Sequence, residues 1–427
     1  MENKIKLNKN KLLYTLLATQ AVSIIGTRMT GIALGIWVFQ KTGHATDLLL
    51  IPFFAEMPQL LFGHYLGALI DRFRRKWVLV LSDFGQALGT WGLIILILTG
   101  WFQIWHLYVI VFFQGIFSAM QTPAADATVT FLTDESNRAR VNGIKEMLFP
   151  TASIVAPVIA GIVYVNLGIQ GVVAIDLISF LVGSLVVIFM QFPDIPLSIE
   201  DTINEGMRVG VRYLLKTKAL LGLIAYVAVV NFLLNGPLEL VIPYILSITG
   251  DEMILSVMMA IMSGAAFLGG LLVTIFGLPK NKNRLIALMM GLTGISMLAF
   301  GIARHAIGLG LFLILCMVPL PVLNAIFRTV LQDTVPGPLQ GRVFSIAYQV
   351  AYGLAPISFL VVGPIVDRFL EPALQTGNLG WITRIFGDRV GSGMGLMLGI
   401  AGVLIVIATL VYHVSTKRKL ENVIQTE

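Results

Sequence analysis

Long apolar runs follow one another along almost the whole chain, and they constrain the fold more than any other feature of the sequence. Each run holds about 20 residues, the length that an α-helix needs to cross the hydrocarbon core of a bilayer. Short polar segments separate the runs. The predicted spans cover residues 12–40, 47–70, 77–99, 106–131, 141–166, 169–191, 218–246, 253–277, 285–303, 307–331, 343–369 and 393–414. The sequence therefore predicts an all-α integral membrane protein with twelve transmembrane helices.

The composition excludes an ordinary soluble protein. Of the 427 residues, 57% are hydrophobic and 12% are charged, whereas a soluble domain carries about 25% charged residues. The net charge of +6 comes from short loops, so it does not indicate nucleic-acid binding. Cys316 is the single cysteine, which excludes an intramolecular disulfide.

The distribution of basic residues predicts the orientation of the chain. Of the 29 lysines and arginines, 21 lie in the loops and termini on one side of the spans, five lie on the other side, and three lie inside spans. We call the side that carries these 21 residues the basic side. Because lysine and arginine accumulate in cytoplasmic loops, we expect the basic side and both termini to face the cytoplasm. The first apolar run is too long for a signal peptide, so we expect an uncleaved span in the cell membrane.

The polar segment 192–217 divides the twelve spans into two sets of six. We therefore expect an N-terminal bundle over 1–191, a cytoplasmic linker over 192–217 and a C-terminal bundle with a cytoplasmic tail over 218–427. The linker spacing fits either an amphipathic helix on the membrane surface or a plain connection. Leu132-Thr133-Asp134 and Leu331-Gln332-Asp333 stand before spans five and eleven, which indicates that the halves are repeats.

A short basic turn joins the second and third spans and carries a recognisable pattern. It contains Gly67, Leu69, Asp71, Arg72, Arg75 and Lys76. These residues resemble motif A of the major facilitator superfamily, although Arg74 replaces a glycine of that pattern. The resemblance implies two pseudo-symmetric six-helix bundles with substrate bound between them, near the bilayer midplane. It also implies that Asp71 caps the eleventh helix at a closed cytoplasmic gate; the alternative is that the turn is only a topology signal.

Other segments resemble the macrolide-efflux branch of the same superfamily, whose members are drug–proton antiporters. They include Gly26-Thr27-Arg28-Met29-Thr30, Ile175-Asp176-Leu177-Ile178-Ser179-Phe180 and Gly341-Arg342-Val343-Phe344-Ser345. A second motif-A-like stretch, Gly363-Pro364-Ile365-Val366-Asp367-Arg368, falls on the opposite side and is interpreted as a span terminus.

Ionisable residues inside spans are candidates for proton or substrate coupling, because burying them in a membrane is costly. Arg28 lies 14 residues before Thr42 and Glu56 lies 14 after it, so a helical hairpin places them at matching depth. They can form a structural ion pair or a titrating pair, and Glu56 is the first choice for the proton. Glu239, near the outer end of the seventh span, is either interfacial or an outer-gate acid. We expect a structural or water-exposed role for Asp176.

A second set of charged residues lies at the basic ends of spans. Asp126, Lys145, Glu146 and Arg328 are either solvated helix ends or an inner gate of pairs across the two halves.

These observations predict a secondary transporter that exports amphiphilic small molecules by proton-coupled alternating access. A lysophospholipid or siderophore transporter of the same fold is the alternative. A membrane-embedded enzyme or a receptor is disfavoured, because there is no clustered catalytic constellation and no sizeable extramembrane domain. No metal-ligand spacing and no Walker lysine occur, so we expect no cofactor. The expected partners are the substrate, protons and the lipid bilayer, and we expect a monomer.

Overall fold

The computed structural model describes residues 2–70, 73–133, 138–190, 203–336, 339–377 and 379–424. Within these ranges the chain is almost entirely helical and contains no β-strand. The absence of strands fits the bilayer, where a helix satisfies every backbone hydrogen bond within its own segment.

Five helices form the first part of the chain. They are α1 (Glu2–Thr42), α2 (Ala45–Ile70), α3 (Arg75–Leu98), α4 (Ile104–Leu132) and α5 (Arg138–Phe189). The 52-residue α5 is interrupted at Gly168, which has φ 65° and ψ −167°. Only glycine adopts this backbone conformation readily, so Gly168 separates α5 into two spans.

The second part contains one short helix followed by six spans. It comprises α6 (Ile203–Lys216), α7 (Lys218–Glu239), α8 (Val241–Thr249), α9 (Glu252–Phe276), α10 (Lys282–Ile302), α11 (Ala306–Met317), α12 (Pro319–Thr334), α13 (Gln340–Tyr352), α14 (Ala355–Ile365), a π-helix (Val366–Leu370), α15 (Glu371–Gln375), α16 (Trp381–Phe386) and α17 (Ser392–Ile424). The α7–α8, α11–α12 and α13–α15 groups each form one membrane span with internal breaks.

The predicted all-α membrane fold is confirmed. Eleven continuous helical segments of the described chain are long and apolar enough to cross a bilayer. One of them, Pro150–Phe189, contains the Gly168 interruption and corresponds to the fifth and sixth predicted spans. The α6 helix lies in the segment for which the sequence left a helix and a plain linker open.

The chain divides into two compact units. The first comprises Met1–Gly43 and Leu50–Glu200, and the second comprises His44–Leu49 and Asp201–Glu427. The first turn of α2 therefore groups with the second unit, whereas the rest of α2 belongs to the first.

In the first unit, α1 packs along α5, and α3 packs against both α4 and α5. Two clusters of buried apolar side chains hold these helices together. Many large apolar side chains of the protein instead point outward, among them Trp101, Phe189, Phe276 and Ile307, which are 78–87% exposed. A surface this apolar suits lipid rather than water.

In the second unit, α10 packs along α17 through glycines. A Cβ atom on Gly294 would overlap the carbonyl oxygen of Gly402, and a Cβ atom on Gly301 would overlap that of Gly395. Small residues let two membrane helices approach closely enough for backbone contact. This pair of helices therefore depends on glycine at both faces.

Candidate functional site

A ladder of polar side chains lies between α3 and α4, inside the first unit. Asp83, Gln86 and Thr90 follow one another on one face of α3, at spacings of three and four residues. Gln114 and Gln121 lie two turns apart on the facing side of α4. Residues at these spacings share a helix face, so the two sets meet across the interface.

Glycines on α3 make this close approach possible. A Cβ atom on Gly85 would overlap the ring of Phe117, and one on Gly89 would lie 2.8 Å from Cγ of Gln114. Gly85 and Gly89 are four residues apart, a spacing typical of closely packed membrane helices. The missing side chains leave room for the amides of α4 to reach polar groups on α3.

The ladder is joined by hydrogen bonds. The Gln121 amide nitrogen donates to Oδ1 of Asp83. The Gln121 amide oxygen accepts from Nε2 of Gln86 at 2.9 Å. Farther along α3, Nε2 of Gln114 donates to the backbone carbonyl oxygen of Gln86 and to Oγ1 of Thr90, each at 3.0 Å. The polar groups therefore form two connected sets along α3.

Asp83 is the acidic end of this ladder, and it is only 6% exposed. It lies eight residues from the start of α3 at Arg75, about 12 Å from that helix end at 1.5 Å per residue. A cleft beside it is lined by Leu16, Thr19, Gln20, Ser23, Leu79, Asp83, Gln121, Gly183 and Val187. Three of these lining residues are polar side chains of α1, so Asp83 faces a partly polar opening between helices.

A second buried carboxylate lies where α1 meets the second half of α5. Asp176 is 3% exposed, and its Oδ1 accepts no hydrogen bond among the described residues. A Cβ atom on Gly26 would lie 2.6 Å from Oγ of Ser179 and 2.8 Å from Oδ1 of Asp176. The packing therefore requires glycine at position 26. The expected structural role of Asp176 fits this burial, and the water-exposed alternative does not.

The basic turn between α2 and α3 is described in part. Asp71 and Arg72 lie outside the described residues, and Gly67 is described only as part of the α2 backbone. Nζ of Lys76 donates to the carbonyls of Ile188 and Met190, at 2.7 and 2.8 Å. These carbonyls end α5, where a helix leaves acceptors unpaired and favours positive charge. Lys76 therefore caps α5, and Arg75 occupies the first turn of α3.

The second motif-A-like stretch carries a different helix cap. Oδ1 of Asp367 accepts from the Ala45 amide at 2.9 Å, and Oδ2 accepts from the Thr46 amide at 2.7 Å. The Thr46 hydroxyl donates to the same Oδ2 at 2.5 Å. A carboxylate at a helix N-terminus satisfies free amides and complements the helix dipole. Asp367 therefore caps α2; it lies in the π-helix of the α13–α15 span, which continues to Gln375, and not at the end of the span.

One turn later, Glu371 makes an equivalent contact. Its Oε1 and Oε2 accept from the amides of Gly391 and Gly393, each at 2.7 Å. These amides open α17, which begins at Ser392. Two carboxylates four residues apart thus cap the N-termini of two different spans.

The predicted coupling residues occupy three different helices. Arg28 on α1 and Glu56 on α2 are both exposed, and each interacts with other groups. Glu239 is half-buried and is the last residue of α7. Their participation in coupling stays a prediction.

The predicted inner-gate residues lie on helices of both units. Asp126 is on α4, and Lys145 and Glu146 are on α5, with side chains outside the described part of the chain. Arg328 on α12 is exposed. On the neighbouring α13, Tyr352 donates to Asn324 at 3.1 Å and stacks on Tyr348. Within the described residues, no three His, Cys, Asp or Glu side chains are grouped to hold a metal ion.

Sequence reasoning did not single out Asp83, Asp367 and Glu371 as functional candidates. A signal for Asp83 was present, because polar residues recur at helical spacing on both α3 and α4 in otherwise apolar spans. The caps had no such signal, since Asp367 and Thr46 are 321 residues apart in sequence. Capping partners at this separation depend on tertiary structure.

The chain matches the family model of the Major Facilitator Superfamily over residues 16–360. It is 25% identical over 363 residues to macrolide efflux protein A of Streptococcus pyogenes, covering 83% of this chain and 89% of the relative. It is 23% identical over 359 residues to the multidrug efflux pump Tap of Mycolicibacterium fortuitum, covering 80% and 86%.

Solved structures show the same fold. A bacterial homologue of the human lysosomal transporter Spinster, in an inward-facing and unoccupied conformation, matches with a TM-score of 0.77 at 15% identity. The match covers 97% of this chain and 98% of the homologue. The nucleoside transporter NupG matches with a TM-score of 0.74 at 11% identity, covering 95% and 99%. The predicted resemblance is thereby confirmed: this multi-pass membrane protein belongs to the Major Facilitator Superfamily.

Proposed function

We propose that this protein exports amphiphilic small molecules of the macrolide type and that the inward movement of protons drives the export. The observation that carries the proposal is the similarity to macrolide efflux protein A, which extends over 83% of this chain and both of its halves. The similarity to the multidrug efflux pump Tap supports the same substrate class. The family is one of membrane transporters, so the chemistry is translocation rather than catalysis.

The proposed mechanism is alternating access, in which two six-helix halves rock around a substrate site near the bilayer midplane. The halves correspond to the proposed domains 1–191 and 218–427, joined through 192–217. Proton coupling requires an acid whose proton affinity differs between the two states. The buried carboxylate of Asp83 supports this requirement, because Asp83 lies inside a membrane span of the first unit.

The exposed charges of α1 and α2 support a polar passage. A charged side chain facing lipid hydrocarbon in mid-span is expensive, so such residues normally face water or a protein interior. Arg28 and Glu56 are exposed side chains inside spans. We infer that they line the substrate route, and that Asp71 acts at the cytoplasmic gate as motif A implies.

The proposed orientation places the basic side in the cytoplasm, and the proposed location is the cell membrane. The Lys76 cap on α5 is then cytoplasmic, and the Asp367 and Glu371 caps lie on the outer side. This assignment follows from the positive-inside rule. We propose that one copy of the chain suffices for transport.

A reconstituted transport assay tests the proposed substrate. Purified protein in liposomes is given a pH gradient and, separately, a labelled macrolide, a lysophospholipid and an iron-free siderophore. We expect the macrolide to accumulate against its gradient only when the pH gradient is present and only in protein-containing liposomes. Accumulation of the lysophospholipid or the siderophore instead of the macrolide would overturn the substrate assignment while keeping the transporter.

A further inference from the structure

We propose that Asp83 is the proton-binding site of this transporter, placed inside the first unit and served by the polar cleft beside α1. The proposal rests on the proposed proton-coupled function and names the residue and the route that carry it. It differs from the sequence prediction, in which Glu56 is the first choice for the proton.

The hydrogen-bonding capacity of the Asp83 carboxylate is only partly satisfied. Oδ1 accepts from Gln121, whereas Oδ2 accepts no hydrogen bond and meets no cation among the described residues. An ionised carboxylate inside a span is normally paired with a cation or several donors, because its desolvation is expensive. A carboxyl group that exchanges a proton is charged in one state and neutral in the other. The neutral state avoids this desolvation cost.

Asp83 also borders a polar cleft. Asp83 lines the cleft together with Thr19, Gln20 and Ser23 of α1. These hydroxyl and amide groups can hydrogen-bond water, and water enters buried sites only where polar partners are available. The cleft therefore offers polar partners for a water molecule beside Asp83, and we infer that protons reach the carboxylate from this side.

Asp83 has no competing titratable group among the described residues that line its cleft. The described residues that line the cleft, from α1, α3, α4 and the second half of α5, include no other titratable side chain. The hydrogen-bonded ladder adds only Gln86, Gln114, Gln121 and Thr90, which do not titrate near neutral pH. A proton arriving in the cleft therefore has one acceptor.

The orientation of the Gln121 amide favours a proton over a sodium ion at Asp83. Gln121 turns its amide nitrogen toward Asp83 and gives its amide oxygen to Gln86. A metal cation needs several oxygen ligands. The amide N–H of Gln121, next to the carboxylate, would repel a metal cation. A proton needs only the free Oδ2.

Proton binding at Asp83 is a simple acid–base step. A proton from water adds to the Asp83 carboxylate, which changes from charge −1 to a neutral carboxylic acid, and release is the reverse. The change occurs where α1, α3, α4 and the second half of α5 meet, so it alters the polar environment of the α1 residues lining the cleft. A bound proton can thereby favour one conformation of the transporter over the other.

Two assays on Asp83→Asn separate proton coupling from substrate movement. Counterflow exchanges labelled for unlabelled macrolide at equal pH and needs no net proton movement. Uphill transport uses a gradient of one pH unit with the membrane potential clamped at zero, and one proton per substrate then limits accumulation to about tenfold. We expect Asp83→Asn to keep counterflow within about twofold of the wild type and to show an accumulation ratio of about one. Asp83→Glu, which keeps a carboxyl, should restore accumulation.

The controls distinguish this proposal from the proposed function. Wild-type protein that exchanges macrolide but ignores the pH gradient contradicts proton coupling itself. A proton-coupled wild type with undiminished accumulation in Asp83→Asn overturns only the role of Asp83, as does loss of accumulation confined to Glu56→Gln. Accumulation driven by a sodium gradient and lost in Asp83→Asn overturns the assignment to a proton.

A spectroscopic measurement covers the case in which Asp83→Asn does not fold. Infrared difference spectra of the wild type and of Asp83→Glu are recorded as the pH is lowered. We expect a protonated-carboxyl band that shifts in frequency between the two proteins. An identical band in both would contradict the proposal.

Discussion

Asp367 binds Thr46 through two contacts, one to the backbone amide and one to the side-chain hydroxyl, and thereby fixes the first turn of α2. The same carboxylate accepts from Ala45, so three donors converge on one side chain. Hydrogen bonds to a charged acceptor are worth about 1.5–3 kcal/mol each, and these three are partly buried. The start of α2 groups with the second unit, and this cap lies within that unit.

Removing the Asp367 carboxylate should weaken this end of the protein. We expect Asp367→Ala to lower stability by about 2 kcal/mol, because a helix cap and a charge–dipole interaction are lost together. The measurement is the thermal midpoint in detergent, with transport rate recorded in parallel. Asp388→Asn is the control, since Asp388 is an exposed acid outside the helices. Equal midpoints for Asp367→Ala and the wild type would show that the cap is not structural.

The glycine contact between α10 and α17 predicts a sharp difference between two neighbouring positions. Gly294 abuts the backbone of Gly402, whereas a Cβ atom on Gly291, one turn earlier on α10, would meet nothing within 4 Å. We expect Gly294→Ala to destabilise the protein by about 1–3 kcal/mol through overpacking. Gly291→Ala should be neutral or stabilising by up to about 1 kcal/mol, because alanine favours a helix. Similar melting of the two variants would contradict the packing.

Cysteine labelling tests the orientation. In a Cys316→Ser background, a single cysteine at position 388 should react with an impermeant maleimide added outside intact cells. A cysteine at position 74 should react only after permeabilisation, because the basic side is expected to be cytoplasmic. Both positions are exposed, so accessibility of the side chain itself does not limit either reaction. Labelling of position 74 in intact cells would reverse the topology.

Arg28 and Glu56 are predicted to serve the substrate route. We expect Arg28→Ala and Glu56→Gln each to slow transport strongly, since each leaves a charge inside a span without its usual surroundings. The double variant should be better folded than Arg28→Ala alone if the two charges support one another. Full transport rates in both single variants would remove these residues from the route.

The spans followed from the sequence because each apolar run is long enough to cross a bilayer and each break carries a glycine, a proline or charges. The division of α5 is one such case: the gap between the predicted spans 141–166 and 169–191 falls at Gly168. The candidate site could be predicted from the sequence less completely than the spans. The Asp83–Gln121 contact joins residues 38 apart on neighbouring helices. Polar residues at helical spacing on both helices are visible in the sequence and indicate this contact. No sequence pattern predicts the Asp367–Thr46 contact, since single polar residues at two helix ends specify no partner until the helices are packed.

The most direct measurement of the central claim is proton movement driven by the substrate itself. Liposomes containing the protein and an internal pH-sensitive dye, with no initial pH gradient and the potential clamped, receive a macrolide on one side. Coupled antiport predicts that protons leave the compartment that the macrolide enters, that the signal is absent without protein, and that Asp83→Asn abolishes it while macrolide entry continues. Macrolide entry through the wild-type protein with no accompanying proton movement would contradict the account.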